Sequence, residues 1–223
     1  MTETGGPSGP EGTETPKPQA DVPTPPQADA PTPPQGGRWI GRTFFAVAIG
    51  ASLIQASHAV YYGFSALAWR AAGYDGVTVG ALWALGVIAE IVVFAVQGRL
   101  PVALTPARLM MAGAAGATIR WGAMALDPSF ALLWPLQLLH GLSFAATHIG
   151  ALTYIARSAP FGQAATAQGY LAMALGIGMA AAIAVSGWLY ESFGVAAYAA
   201  MALAAIAGGV CCVVADTARR GLP

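Results

Sequence analysis

Hydrophobic and polar positions divide this chain into two unlike parts. From residue 38 onward, long apolar runs alternate with short links that carry Gly, Pro and charge. The runs are residues 43–69, 77–97, 107–126, 130–156, 165–190 and 194–215. Each reaches the length of about 20 apolar residues that carries a helix across a bilayer. The links are residues 73–76, 98–101, 127–128, 160–162 and 191–194. The pattern predicts an all-α membrane domain of six transmembrane helices over residues 38–217, with a short cytoplasmic C-terminus at 218–223.

Residues 1–37 read differently. They hold ten of the sixteen prolines and no Phe, Trp, Tyr, Ile or Leu. Pro23-Thr24-Pro25-Pro26-Gln27 returns as Pro31-Thr32-Pro33-Pro34-Gln35. Such a stretch buries too little apolar surface to offset its ordering entropy. It predicts a disordered, partly polyproline-II cytoplasmic tail. A basic start followed by an apolar stretch is absent, so it does not read as a signal peptide.

Composition sharpens the picture. Charged residues make up 9% of the chain, against roughly 25% in soluble domains. Net charge is zero and Lys17 is the single lysine. That balance excludes a nucleic-acid partner, whose phosphates call for clustered cations. Cys211 and Cys212 are adjacent in an apolar run, where they read as small packing residues rather than a disulfide or a metal set. No catalytic motif or Walker loop is present, so neither an enzyme nor an ATP-driven pump is read here. No cofactor and no metal are implied.

Charge also orients the helices. With the N-terminus in the cytoplasm, Arg38, Arg42, Arg99, Arg108, Arg157, Arg219 and Arg220 lie inside. Arg70 lies outside with Asp75, Asp127 and Glu191. This positive-inside asymmetry predicts a multi-pass inner-membrane protein with both termini cytoplasmic. Gly113, Gly116, Gly176, Gly178 and Gly187 mark helix faces suited to close packing.

Polar groups inside the runs carry the candidate chemistry. A charge at mid-bilayer costs roughly 2.5–3.5 kcal/mol even on lenient scales, so Glu90 and Arg120 read as functional or as a structural ion pair. His58, His140 and His148 join them. Helical spacing puts Gln137, His140, Phe144 and His148 on one face, and Gln55, His58 and Tyr62 on another. Counting about 1.5 Å per residue sets His58, Arg120 and His140 at one depth and Glu90 and His148 nearer the cytoplasm. The pairings this predicts are Glu90 with His148, and Arg120 with His140. Glu90 is the best proton acceptor, and Arg120 suits an anion or a carboxylate. Trp83 and Trp121 offer flat apolar surface to a ligand, or pack.

Residues 55–100, QASHAVYYGFSALAWRAAGYDGVTVGALWALGVIAEIVVFAVQGRL, resemble the seventh and eighth helices of major facilitator transporters. Residues 137–160, QLLHGLSFAATHIGALTYIARSAP, resemble the tenth, and SGWLYESFG at 186–194 the end of the eleventh. The nearest likeness is to the 3-phenylpropionate permease group, related to lactose permease. The resemblance covers about residues 38–217 and implies the C-terminal six-helix half of a twelve-helix fold. It implies a secondary transporter moving a small organic solute, such as an aromatic acid, together with protons. Glu90, His140 and His148 would couple protons. Arg120, His58, Gln55, Tyr62, Gln137 and Trp83 would bind solute or pair charge. Unlike lactose permease, the run carrying His140 and His148 has no second carboxylate.

The resemblance leaves the first six helices of the fold without a counterpart. The implied partners are therefore the lipid bilayer, a small solute, protons, and a second six-helix half. That half would be another copy of the chain or a separate one, unless the sequence is a fragment of a longer protein. A non-transporting accessory or truncated membrane protein is the other reading.

Overall fold

The computed structural model describes Thr2 and residues 40–220, and all the described helices belong to one unit of the chain, Pro34–Pro223. The predicted tail other than Thr2, residues 38–39 and residues 221–223 lie outside the described residues, as do the side chains of Arg219 and Arg220. Among the described residues there are helices and turns and no strand.

The order is α1 (Arg42–Ala56), α2 (Ala59–Ala71), α3 (Gly76–Val96), α4 (Pro106–Met124), α5 (Phe130–Leu138), a π-helical segment (Gly141–Ala146), α6 (Thr147–Ser158), α7 (Ala164–Phe193) and α8 (Tyr198–Arg220). Helix starts follow from local chemistry. The Asp75 carboxylate accepts a hydrogen bond from the Thr78 amide (2.7 Å) and caps α3. Thr105 accepts from the Arg108 amide (3.3 Å) and caps α4, with Pro106 in its first turn. Gly194, at φ 55°, lets the chain reverse between α7 and α8.

Two runs read as continuous helices are in fact broken. The first breaks at Ser57–His58, which separates α1 from α2. The fourth widens into the π-helical segment between α5 and α6. Pro135 inside α5 removes one backbone donor just upstream.

Four stretches are long and apolar enough to cross a membrane: Arg42–Ala71, Gly76–Arg99, Phe130–Ser158 and Ala164–Ala218. The last contains both α7 and α8, folded back at Gly194. The third apolar run is not among the four. It forms α4, whose 19 residues include both Arg108 and Arg120.

Small residues set the helix spacing. A Cβ on Gly208 would lie 2.7 Å from the Gly50 carbonyl oxygen, so α1 and α8 meet backbone to backbone. A Cβ on Gly150 would lie 2.6 Å from the Pro106 carbonyl oxygen, which brings α6 against the start of α4. Close approach of this kind is how helices gain dispersion contacts where lipid offers no hydrophobic drive. Gly113 and Gly116 pack on Leu142 and Gly178 on Ser52, as their sequence placement implies, whereas Gly176 faces open space. Cys212 is buried and Cys211 half-buried, both as free thiols beside Gly50.

Burial is uneven. Trp121, Tyr61, Tyr198 and Ile54 are sunk in the centre. In α3 only Val79, Leu82 and Gly86 are buried, and in the 30 residues of α7 only Ala167, Leu171 and Ser186. Ile88, Ile91 and Val92 on α3 and Met173, Ile177 and Ile183 on α7 stand exposed, an apolar surface suited to lipid or to another membrane helix.

Candidate functional site

The two irregular segments face each other, and the intramembrane polar residues gather around them. Gln55, one turn before the α1–α2 break, donates from Nε2 to the Phe144 carbonyl of the π-helical segment (3.2 Å). His58 sits in the break itself. Its Nδ1 lies 3.2 Å from the Ile54 carbonyl and 3.0 Å from the Gln55 carbonyl. Two acceptors at Nδ1 require the proton there. Nε2 is then the acceptor for the Ser143 hydroxyl (3.0 Å). Ser57 donates to the Ile54 carbonyl (2.6 Å) and accepts from Trp121 Nε1 (2.8 Å).

Arg120 reaches this cluster from α4 and has no solvent exposure. Its guanidinium lies between two rings, 4.4 Å from the Tyr61 centroid and 4.6 Å from that of Trp121. Nη2 donates to Gln137 Oε1 (2.8 Å), and Nη1 lies 2.9 Å from His140 Nδ1. Gln137 is fully committed as well. Its Oε1 also accepts from the Tyr61 hydroxyl (3.1 Å), and its Nε2 donates to the Leu133 carbonyl (3.1 Å).

The tautomer of His140 follows from its partner. A guanidinium only donates, so Nδ1 of His140 accepts and the ring proton resides on Nε2. That Nε2 is 3.4 Å from Glu90 Oε2. Arg120, His140 and Glu90 therefore form one line, with a neutral imidazole between a cation and a carboxylate. The line runs outward. Arg120 is sealed, the His140 side chain is 6% exposed and that of Glu90 is 22% exposed.

Arg120 and His140 thus meet as their depths suggest, but Glu90 does not meet His148. Gly86 packs on the His140 ring, and a Cβ on Gly141 would lie 2.9 Å from the Ala89 carbonyl oxygen. These two glycines bring α3 against the helix at His140. A helical side chain also leans toward its own N-terminus, which carries the Glu90 carboxylate back to that level. His148 lies two turns further along, stacked on Phe144 (6.1 Å) and against the edge of Phe94 (6.2 Å).

Tyr62 stacks on His58 (5.7 Å), and Trp83 stacks on Tyr61 (4.7 Å) with Tyr62 beside it (5.9 Å). Tyr62, Trp83, Glu90, Phe144 and His148 are all half-buried and make up the outward side of the cluster. Trp83 Nε1 and Gln55 Oε1 have no hydrogen-bond partner among the described residues. Tyr61, Trp121 and Ser143 were not singled out by sequence as members of the cluster, apart from Trp121 as a flat surface. The available signal was Tyr61 three residues after His58, the helical neighbour position alternative to Tyr62.

Residues 41–216 match the MFS_1 like family. The chain belongs to this family. As an MFS_1-like protein built of apolar helices, it is a membrane protein. Over 154 residues it is 36% identical to the "Probable 3-phenylpropionic acid transporter" of Escherichia coli (strain K12), a match covering 69% of this chain and 41% of that protein. The MFS_1-like chain therefore spans about two fifths of the length of this curated relative. The matched family region contains every residue of the Arg120–His140–Glu90 line.

Proposed function

We propose that the chain forms six membrane crossings of a secondary transporter that moves a small organic solute together with protons. The observation that carries this reading is the Arg120–His140–Glu90 line, sealed at the cation and open at the carboxylate. A lone charge in a bilayer is costly. Here each charge is compensated by the other through the imidazole. Protonating Glu90 removes its charge and leaves Arg120 unbalanced, so proton binding at the open end is felt at the buried end.

The sixth crossing is α4. Its lower apolarity comes from Arg108 in its first turn and from Arg120, which faces protein rather than lipid. The cation-rich links favour both ends of this helical unit lying in the cytoplasm, with the unit in an inner membrane.

On this reading Arg120 holds Glu90's charge through His140 rather than taking an anionic solute. Two rings cover it and both terminal nitrogens are engaged, with its buried Nε the nitrogen that has no partner among the described residues. The solute meets the outward side, where the half-buried Tyr62 and Trp83 offer ring faces and Glu90 and His148 stand nearby. An aromatic organic acid fits such a surface, in keeping with the name of the relative. His58 and Gln55 support the cluster from behind.

A fold of two six-helix halves would set a second half against this one. The competing reading is an accessory membrane protein without transport of its own. The test is accumulation of labelled 3-phenylpropionate in membrane vesicles under an imposed proton gradient. The wild type should accumulate it. Glu90→Gln should lose gradient-driven accumulation while still binding the compound. Full accumulation by Glu90→Gln would remove Glu90 from proton coupling, and no accumulation by the wild type would favour the accessory reading.

A further inference from the structure

At the end of the bundle opposite Asp75, Asp127 and Glu191 there is a recess of about 470 Å³ between the α3–α4 connection and the last turn of α6. Its walls differ in kind. Leu100, Val102 and Leu109 form an apolar side, while Gln97, Thr153 and Arg157 form a polar one. Arg157 is exposed and its side chain has no hydrogen bond or ion pair with another described residue. Arg108 is engaged with the Ala103 carbonyl (2.7 Å). No acid lines the recess, and Asp216 is the single described acid at this end. Val102 is 98% exposed at the rim, an apolar side chain at the level where helices leave the membrane.

We infer that this recess binds an anionic phospholipid, with the phosphate on Arg157 and an acyl chain along Leu100, Val102 and Leu109. The volume lies in the range of ordinary ligand sites. A free phosphate would use Arg157 but would leave the apolar wall wet. A zwitterionic lipid would fill the wall but carry no net charge for the surplus of cations at this end. An anionic lipid satisfies both, and basic recesses on the cytoplasmic side of membrane helices are suited to such headgroups. Arg70, at the other end among three acids, has no comparable setting.

The experiment is native mass spectrometry of the full chain released from nanodiscs containing equal phosphatidylglycerol and phosphatidylcholine. Wild type should retain phosphatidylglycerol preferentially. Arg157→Gln should lower that retention about fivefold, the effect of one cation near an anionic surface. Arg70→Gln should leave it unchanged. Thr153→Glu, which brings a negative charge to the polar wall, should lower it as Arg157→Gln does. Equal retention by wild type and Arg157→Gln would overturn the inference, as would an equal loss in Arg70→Gln. Displacement of the lipid by millimolar inorganic phosphate would also overturn it, assigning the recess to a free anion.

Discussion

Arg120 Nη1 lies 2.9 Å from His140 Nδ1, and this contact decides which nitrogen of the imidazole carries its proton. While the contact lasts, His140 has one open nitrogen, and that nitrogen faces Glu90. His140 is therefore a bridge in this arrangement and gains a second proton only when Arg120 moves away.

Replacing His140 with Gln, which offers one acceptor and one donor, should keep the protein folded. Replacing it with Leu strips both partners. Melting in detergent should place His140→Gln well above His140→Leu, by about 1–3 kcal/mol for the unpaired buried groups. Equal melting of the two would refute the bridging role.

Arg120→Met should destabilise the chain by about 3 kcal/mol or more, because it strands a buried hydrogen-bond network and an uncompensated carboxylate. Glu90→Gln should cost less, about 1–3 kcal/mol, because it leaves the guanidinium unbalanced but keeps its hydrogen bonds and an acceptor for His140. Denaturant titration of both variants measures the asymmetry, and a larger loss in Glu90→Gln would contradict it.

Gly141→Ala should cost about 1–3 kcal/mol through overpacking, since the new methyl meets the Ala89 carbonyl at 2.9 Å. It should also separate α3 from His140, so cysteine cross-linking between the two helices at this level should slow. Gly176→Ala, into open space, should change neither.

Asp75 supplies a pH test outside the membrane. The Thr78 amide bonded to its carboxylate holds its pKa below the usual carboxylate range. A depressed folded-state value stabilises the fold above the unfolded pKa, and the contribution is lost as pH falls through the folded value. Asp75→Ala should melt lower than wild type at neutral pH and converge with it in acid. Asp75→Asn, still a capping residue, should melt near wild type at neutral pH. Identical melting of wild type and Asp75→Ala at neutral pH would show that the cap contributes nothing.

Much of the fold was legible because apolar runs and polar links bound helices directly. Each of the six runs overlaps a described helix or pair of helices within a few residues. Apolarity alone did not carry α4, since Arg120 spends its charge on protein partners that a sequence does not display. In the site, counting along helices brings Arg120 level with His140, as the structure has them. Counting treats every helix as straight and ignores how closely two helices approach, so it pairs Glu90 with His148 where the structure pairs it with His140. Gly86 and Gly141 set that approach. The tautomers of His58 and His140 depend on partners from distant parts of the chain. Tyr62 stacks on His58 as helical spacing implies, but spacing alone does not show that Tyr61, one position earlier, is the tyrosine that reaches Gln137 and Arg120.

The π-helical segment makes the length of this helix matter as much as its composition. A π turn holds more residues than an α turn, so Gly141–Ala146 takes up slack between the part bearing His140 and the part bearing His148. Removing a single residue from it would let the α-helical period run through with both flanks still in phase, because the wide turn holds one residue more than the α turn it replaces. Adding one residue without a second wide turn would instead rotate one flank by about 100° against the other. Gln137 and His140 could then not keep Arg120 while Tyr154 kept its bond to the Ala215 carbonyl. A substitution in this segment changes one contact, whereas an inserted residue rewrites the angular phase between two halves of the same rod.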